Sequence, residues 1–186
     1  PFVLYYYGSL SLLDKDCIAV IGKRDCSEYG VQATRVLVKE LVKNDIVIVS
    51  GMAKGIDGVS HRTAIRSKGH TVAVLGSGID YPYPPMNEDL YYVLKNELVL
   101  SEYPGSTPPR KDHFPKRNRI IAGLSQKLLV TEADLKSGTM ITVGFALEQG
   151  KDVFAVPGRV YDSKGCNALI QQGAKLVMNV EDILEE

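Results

Sequence analysis

The chain has little that would staple, anchor or metallate it. Only three cysteines occur in 186 residues, Cys17, Cys26 and Cys166, an odd number with no C-x-x-C pair. That count argues against a disulfide framework or a zinc site and points to a reduced, cytosolic setting. Apolar runs reach only about five or six residues, far short of the roughly twenty that a membrane helix needs. The first residues lack the charged-then-apolar pattern of a secretory leader. The reading is therefore of a cytoplasmic chain with no membrane insertion. Net charge is missing as well, because 22 basic side chains balance 22 acidic ones, so any attraction for a polyanion has to be local. Two nucleotide signatures are absent: no G-x-G-x-x-G follows the first apolar run, and no G-x-x-x-x-G-K-[ST] occurs anywhere. A routine nicotinamide or ATP site is disfavoured, and no cofactor or metal is expected.

What is present suffices for one substantial core, since 45% of the side chains are hydrophobic. Residues 1–16 read as an irregular or short-strand lead-in whose three tyrosines cover an edge, and residues 17–186 as one domain. Within that domain short apolar runs alternate with segments of helical spacing. The runs are Cys17–Ile21, Ile46–Val49, Thr71–Leu75, Leu98–Leu100, Lys127–Thr131, Val153–Val156 and Lys175–Met178. Helices are predicted between them, among them one through Leu41, one ending before Gly69, one over Glu88–Lys95 and one over Thr139–Gln149. Strands apolar throughout that alternate with helices make a mostly parallel sheet covered on both faces. The expected fold is a doubly wound, Rossmann-like α/β domain.

In such a sheet ligands bind outside the carboxyl ends of the strands, and every polar or glycine-containing loop here falls at such an end. These are Gly22 to Ser27, Gly51 to Asp57, Gly76 to Asp80, Ser101-Glu102, Glu132 to Gly138 and Pro157-Gly158. The same rim should receive Arg110–Arg119, which packs five fixed positive charges into ten residues around Phe114, with Asp112 as the only acid. Charge for phosphates and a flat face for a base thus stand side by side, although a solvated basic loop would have the same composition. The apolar residues after Arg119 suggest a helix from Asn118 onwards, whose start would add free N–H groups and partial positive charge.

Several ordered blocks carry a family resemblance. They include Gly22-x-Arg24-x-x-Ser27-x-Tyr29-Gly30, Ser50-Gly51-x-Ala53-x-Gly55-Ile56-Asp57, Tyr83-Pro84-x-x-Asn87, Phe114-Pro115-x-Arg117-Asn118-Arg119, Ser137-Gly138 and Gly165-Cys166-Asn167. Together they resemble the DNA processing protein A family, DprA or Smf. The resemblance implies a non-catalytic protein that binds single-stranded DNA during natural transformation, protects it, forms a homodimer and helps load a RecA-type recombinase. On that reading Arg24, Lys54, Lys111, Lys116, Arg117 and Arg119 are candidates to neutralise phosphates, and Phe114 to stack on a base. Amides near Gly22, Gly51 and Ser137-Gly138 would donate to phosphate oxygens, and Ser27, Gly55 and Asn118 complete the candidate set. Arg117 and Arg119 cannot share one helix face, so one is expected to meet DNA while the other pairs with Glu132 or Glu102. His61, Asp57, Asp80, Glu102 and Glu132 are read as caps and rim hydrogen-bonders rather than as acids or bases.

Two features set limits. Pro85 stands where many family members are expected to offer a lysine, and the helical and winged-helix-like domains common in the family are not in this stretch. The rival reading is enzymatic, because the fold superfamily also resembles nucleotide phosphoribohydrolases of the LOG type with a Pro-Gly-Gly-x-Gly-Thr-x-x-Glu loop. Here Lys136-Ser137-Gly138-Thr139-Met140-Ile141-Thr142 puts Thr142 where that glutamate would stand, so the carboxylate needed for glycosidic cleavage is absent.

Overall fold

A computed structural model describes residues 1–185. Its strands are β1 (Tyr5–Gly8), β2 (Cys17–Gly22), β3 (Val47–Ser50), β4 (Thr71–Gly78), β5 (Leu98–Tyr103), β6 (Lys127–Glu132), β7 (Asp152–Ala155) and β8 (Lys175–Leu176). The helices are α1 (Glu28–Lys43), α2 (Ile56–Arg66), α3 (Glu88–Leu94), α4 (His113–Gly123), α5 (Gly138–Glu148), α6 (Lys164–Gln171) and α7 (Glu181–Leu184). The strands form one sheet in the order β1-β5-β4-β3-β2-β6-β7-β8. All neighbours are parallel except β1, which pairs antiparallel with β5, Tyr5 opposite Ser101. This is the expected mostly parallel, Rossmann-like sheet with an antiparallel edge.

Strand alternation sorts the core into two layers, because successive side chains point to opposite faces. Ala19, Ile21, Val49, Val74 and Val130 pack under α4, α5 and α6 through Ile120, Ile121, Val143 and Leu169. Ile18, Val20, Ile48 and Leu129 meet α1 and α2 through Leu37, Leu41 and Ile56. Beside them Leu90, Tyr91 and Leu94 of α3 cover Ala73, Leu75 and Val99. With both faces covered, β2, β3 and β4 are buried almost throughout, which is why their sequences read as unbroken apolar runs.

The order reverses at β2, with β3 and β4 on one side and β6 and β7 on the other. The crevice therefore opens where the loops after β2 and β6 diverge. Several boundaries differ from the sequence expectation, most of them by a residue or two. The helix expected from Asn118 starts at His113, with Pro115 in its first turn. Proline is tolerated there because a first-turn amide has no intrahelical acceptor. Gly76 to Gly78, expected in a loop, continue β4, because β5 runs on to Tyr103 and pairs with Gly78 across an irregularity. The last strand stops at Leu176.

Candidate nucleic-acid interface

The start of α4 sets the site. His113 is buried, its ring stacked on that of Tyr103 at 3.8 Å between centroids, and its Nδ1–H donates to the Gly76 carbonyl at 3.2 Å. This fixes Phe114 directly over Gly76, where a Cβ would lie 2.6 Å from the Phe114 ring. Phe114 is half-buried, with Tyr83 at 5.7 Å, Arg24 at 5.6 Å and Arg117 at 5.9 Å from its ring. It is neither a core residue nor a free side chain.

Around this ring lies a cleft of about 650 Å³, with a smaller hollow of about 200 Å³ adjoining it. Of the candidate residues, Gly22, Arg24, Lys111, Phe114, Arg117, Asn118, Ser137 and Gly138 line the cleft. Gly51 and Lys54 line the hollow. Ser27, Gly55, Lys116 and Arg119 line neither. Ser27 caps α1, its Oγ accepting from the Gly30 amide at 3.1 Å, while its own amide donates to Glu132 at 2.8 Å. Gly55 has φ 80° and precedes α2, and a Cβ there would sit 2.3 Å from the Lys23 carbonyl. Lys116 pairs with Asp112 at 3.2 Å on the surface, and Arg119 with Glu102 at 2.6 Å.

Arg117 is not the surface cation that the charge run suggests. It is 4% exposed and forms part of the cleft floor. Its Nη1 donates to the Gly51 carbonyl at 2.7 Å and to the Val74 carbonyl, and its Nε donates to Asn118 Oδ1 at 3.1 Å. Burial holds its pKa down to about 10, against the pull of the nearby Asp57 carboxylate. The loop it grips, Gly51 to Ala53, is fastened from three other directions. Asp57 accepts from the Gly51 amide at 3.2 Å, His61 Nε2 from the Met52 amide at 3.3 Å, and Asn87 Nδ2 donates to the Met52 and Ala53 carbonyls at 3.0 and 3.1 Å. Asp57 is pushed up by burial, an effect that Arg117 and the Gly51 and Ala53 amides oppose. His61 is held down to about 3, by burial first and then by Arg117. Its Nδ1 lies 2.6 Å from Thr71 Oγ1, which donates to Ile48 O at 2.7 Å, so a neutral imidazole protonated at Nδ1 fits.

The remaining cations fall into two kinds. Lys23 is neutralised by Asp134 at 3.1 Å and Lys54 by Asp25. Arg24 and Lys111 are exposed, line the cleft and have no carboxylate partner among the described residues. Sequence reasoning missed Tyr83, which lies beside Phe114, and Asn87, which holds the Gly51 loop. Their only signal was the shared block Tyr83-Pro84-x-x-Asn87. It also missed Thr139 and Thr142 as lining residues of the cleft.

A family model described as DNA recombination-mediator protein A matches residues 1–186. The chain belongs to this family. Among curated relatives, DNA processing protein DprA of Streptococcus pneumoniae is 48% identical over 100% of this chain and 67% of its own length. DprA of Bacillus subtilis is 46% identical over 100% and 64%. This chain thus spans about two thirds of those relatives, and 50% of the Smf protein of Escherichia coli. The X-ray structure of DprA from Streptococcus pneumoniae superposes with a TM-score of 0.95 at 47% identity, covering 98% of this chain and 65% of that one. A Helicobacter pylori DprA structure, described by its single-stranded DNA binding mode, superposes at 0.91 and 35% identity, covering 97% and 84%. A molybdenum cofactor binding protein from Rippkaea orientalis shares the fold alone, at 0.64 and 16% identity.

Proposed function

We propose that the cleft binds single-stranded DNA without reading its sequence and without catalysing a reaction on it. The observation that carries this reading is the convergence, at one open cleft, of an aromatic ring with Arg24 and Lys111, cations that have no carboxylate partner among the described residues. Cations neutralise phosphates whatever the base, and a ring stacks on any base, so neither selects a sequence. The single-stranded DNA binding mode described for the Helicobacter pylori relative supports it. The acids near the cleft have structural partners: Glu132 receives Ser27, Asp57 receives Gly51, and Asp134 and Asp25 pair with lysines. None of these is placed as a free general acid or base, which favours binding over hydrolysis.

From family membership we take three further proposals: that the chain serves DNA uptake and recombination in natural transformation, acts in the cytoplasm with a RecA-type recombinase, and works as a homodimer. A dimer would set two clefts on one strand and raise affinity through effective concentration.

The test is titration of labelled oligothymidylate, single-stranded or annealed, at two salt concentrations. Single strands should bind more tightly, with a steep loss in salt. Arg24→Ala and Lys111→Ala should each flatten the salt slope by about one unit. Phe114→Ala should lose on the order of 1 to 3 kcal/mol of binding while remaining folded. Equal slopes and affinities in all three variants would sink the reading.

A further inference from the structure

The turn after β2 carries Arg24 to the cleft, and the residues around Arg24 are tied down. The Lys23 amide donates to the Glu132 carbonyl at 2.8 Å, and the Lys23 carbonyl accepts from the Ile56 amide at 3.2 Å. The Lys23 ammonium pairs with Asp134, and the Asp25 carboxylate with Lys54. Further on, Ser27 is fastened across to β6. Its amide donates to Glu132 Oε2 at 2.8 Å and its hydroxyl to the same oxygen at 3.1 Å. Of the three charged residues in this turn only Arg24 has no ion-pair partner among the described residues, and its guanidinium lies 5.6 Å from the Phe114 ring.

Glu132 ends β6 and is 3% exposed, yet it has no ion-pair partner among the described residues. A carboxylate buried to this degree needs compensation, and what faces it is the start of the sixteen-residue α1. The Gly30 amide, in the first turn of that helix, donates to Ser27 Oγ at 3.1 Å, and the Ser27 hydroxyl passes the interaction on to Glu132. Gly30 also makes room for the carboxylate, because an added Cβ there would run into Glu132 Oε2. A negative charge is stabilised at such a helix start. Strand order reverses at β2, and in doubly wound sheets the helix start that follows such a strand is where a phosphate is held. In this chain the carboxylate of the neighbouring strand fills that place.

We propose that Glu132 is a built-in occupant of the anion position at the start of α1, a residue that sets specificity and positions Arg24. It has two effects. It closes the helix start to phosphate, and by holding Ser27 and Lys23 against β6 it fixes the turn with Arg24 directed to the cleft. A cleft of about 650 Å³ would admit a mononucleotide by size, so its rejection has to come from chemistry, and a carboxylate already bonded to the helix start supplies it by filling the position and repelling a second anion. Phosphate is then met by a side chain across an open cleft, an arrangement that suits a strand passing through. The first effect stands on the fold alone, whereas the second rests on the strand-binding reading.

The experiment follows backbone amide resonances of the full chain during addition of inorganic phosphate and of thymidine 5′-monophosphate, alongside titration with oligothymidylate. In the parent the Ser27 to Gly30 resonances should stay in place with either phosphate. In Glu132→Ala they should shift saturably. Glu132→Gln, which fills the same space and keeps an oxygen for Ser27, should behave as the parent does. Arg24→Ala should weaken oligothymidylate about tenfold in the parent and less than about threefold in Glu132→Ala, a coupling of the size seen for residues linked through a shared backbone shift. Gly30→Ala pushes the carboxylate aside while leaving every charge in the chain, so it should reduce the Arg24→Ala effect in the same way without admitting phosphate, and it tests the positioning even where Glu132→Ala does not fold. Saturable shifts of Ser27 to Gly30 in the parent, unmoved resonances in a folded Glu132→Ala protein, or a full tenfold Arg24→Ala effect in both altered backgrounds would overturn the proposal. A parent that binds no oligothymidylate, beside a Glu132→Ala protein that takes phosphate at the start of α1, would overturn the strand-binding reading and leave the closed helix start standing.

Discussion

The turns after β3 and β6 both bring backbone to the cleft, but their hydrogen bonds are used in opposite ways. From Gly51 to Ala53 the carbonyls are taken by Arg117 and Asn87, and the Gly51 and Met52 amides by Asp57 and His61. From Asp134 to Thr139 the carbonyls of Asp134 and Gly138 accept, and among the described residues no backbone amide donates to the protein. The first turn can hold one shape without a ligand and offers little to one. The second leaves its backbone amides unengaged among the described residues. Both turns contribute to the lining of one cleft, so a strand bound there as proposed would meet a rigid wall at the first and unengaged backbone amides at the second, with little ordering left to be done on binding.

The comparison breaks most visibly at Arg117. Arg117→Ala removes a buried cation, strips hydrogen bonds from the Gly51 and Val74 carbonyls, and leaves the buried Asp57 without its nearby positive charge. Removing one side of a buried charged network costs about 3 to 5 kcal/mol, so urea unfolding should show a loss of that order. A variant as stable as the parent would mean that the Gly51 loop is not fastened from the floor.

How much of this was legible in the sequence depends on how local the cause is. Alternation of apolar runs with helical segments is enough for the parallel sheet, and the strand-end rule puts Arg24, Lys111 and Phe114 at one rim. Arg117 was misread because its burial comes from tertiary packing, whereas a run of charge looks like surface. A signal was nevertheless there: His113, Arg117, Ile120 and Ile121 recur at the spacing of one helix face, and all four are buried. Pro115 hid it by suggesting a later helix start. Thr139 and Thr142 carry only the mark of the Lys136–Thr142 loop, in which Thr142 stands at the glutamate position, and their place in the cleft shows only in the fold.

A finer contrast comes from one methyl group placed in each turn. At Gly51 a Cβ would lie 2.7 Å from the Arg117 guanidinium, which three hydrogen bonds hold in place, so it cannot simply swing away. At Gly138 a Cβ meets nothing. Overpacking typically costs about 1 to 3 kcal/mol, so Gly51→Ala should unfold at clearly lower urea than Gly138→Ala, whose midpoint should match the parent. Equal midpoints would erase the distinction between a closed turn and an open one.

Acid should loosen the closed turn alone, and more gently. The His61 imidazole is held down to about 3 in the folded protein, chiefly by burial, and accepts from Met52 as a neutral ring. In the unfolded chain it titrates near the ordinary value of about 6.5. Above that pH the ring is neutral in both states and contributes no pH dependence. Below it, the unfolded chain takes up a proton that the folded one refuses, so folding free energy should fall by about 1.4 kcal/mol per pH unit on the way to 3. Asp57 acts in the opposite sense. Burial raises its carboxyl above 3.8, so the folded state binds that proton first, and acidification below its folded pKa relieves a penalty. The two are separated by comparing urea midpoints of the parent and His61→Leu at pH 7, 6 and 5. The parent should lose stability faster over that range, and parallel curves would show that the Met52 amide does not depend on a neutral His61.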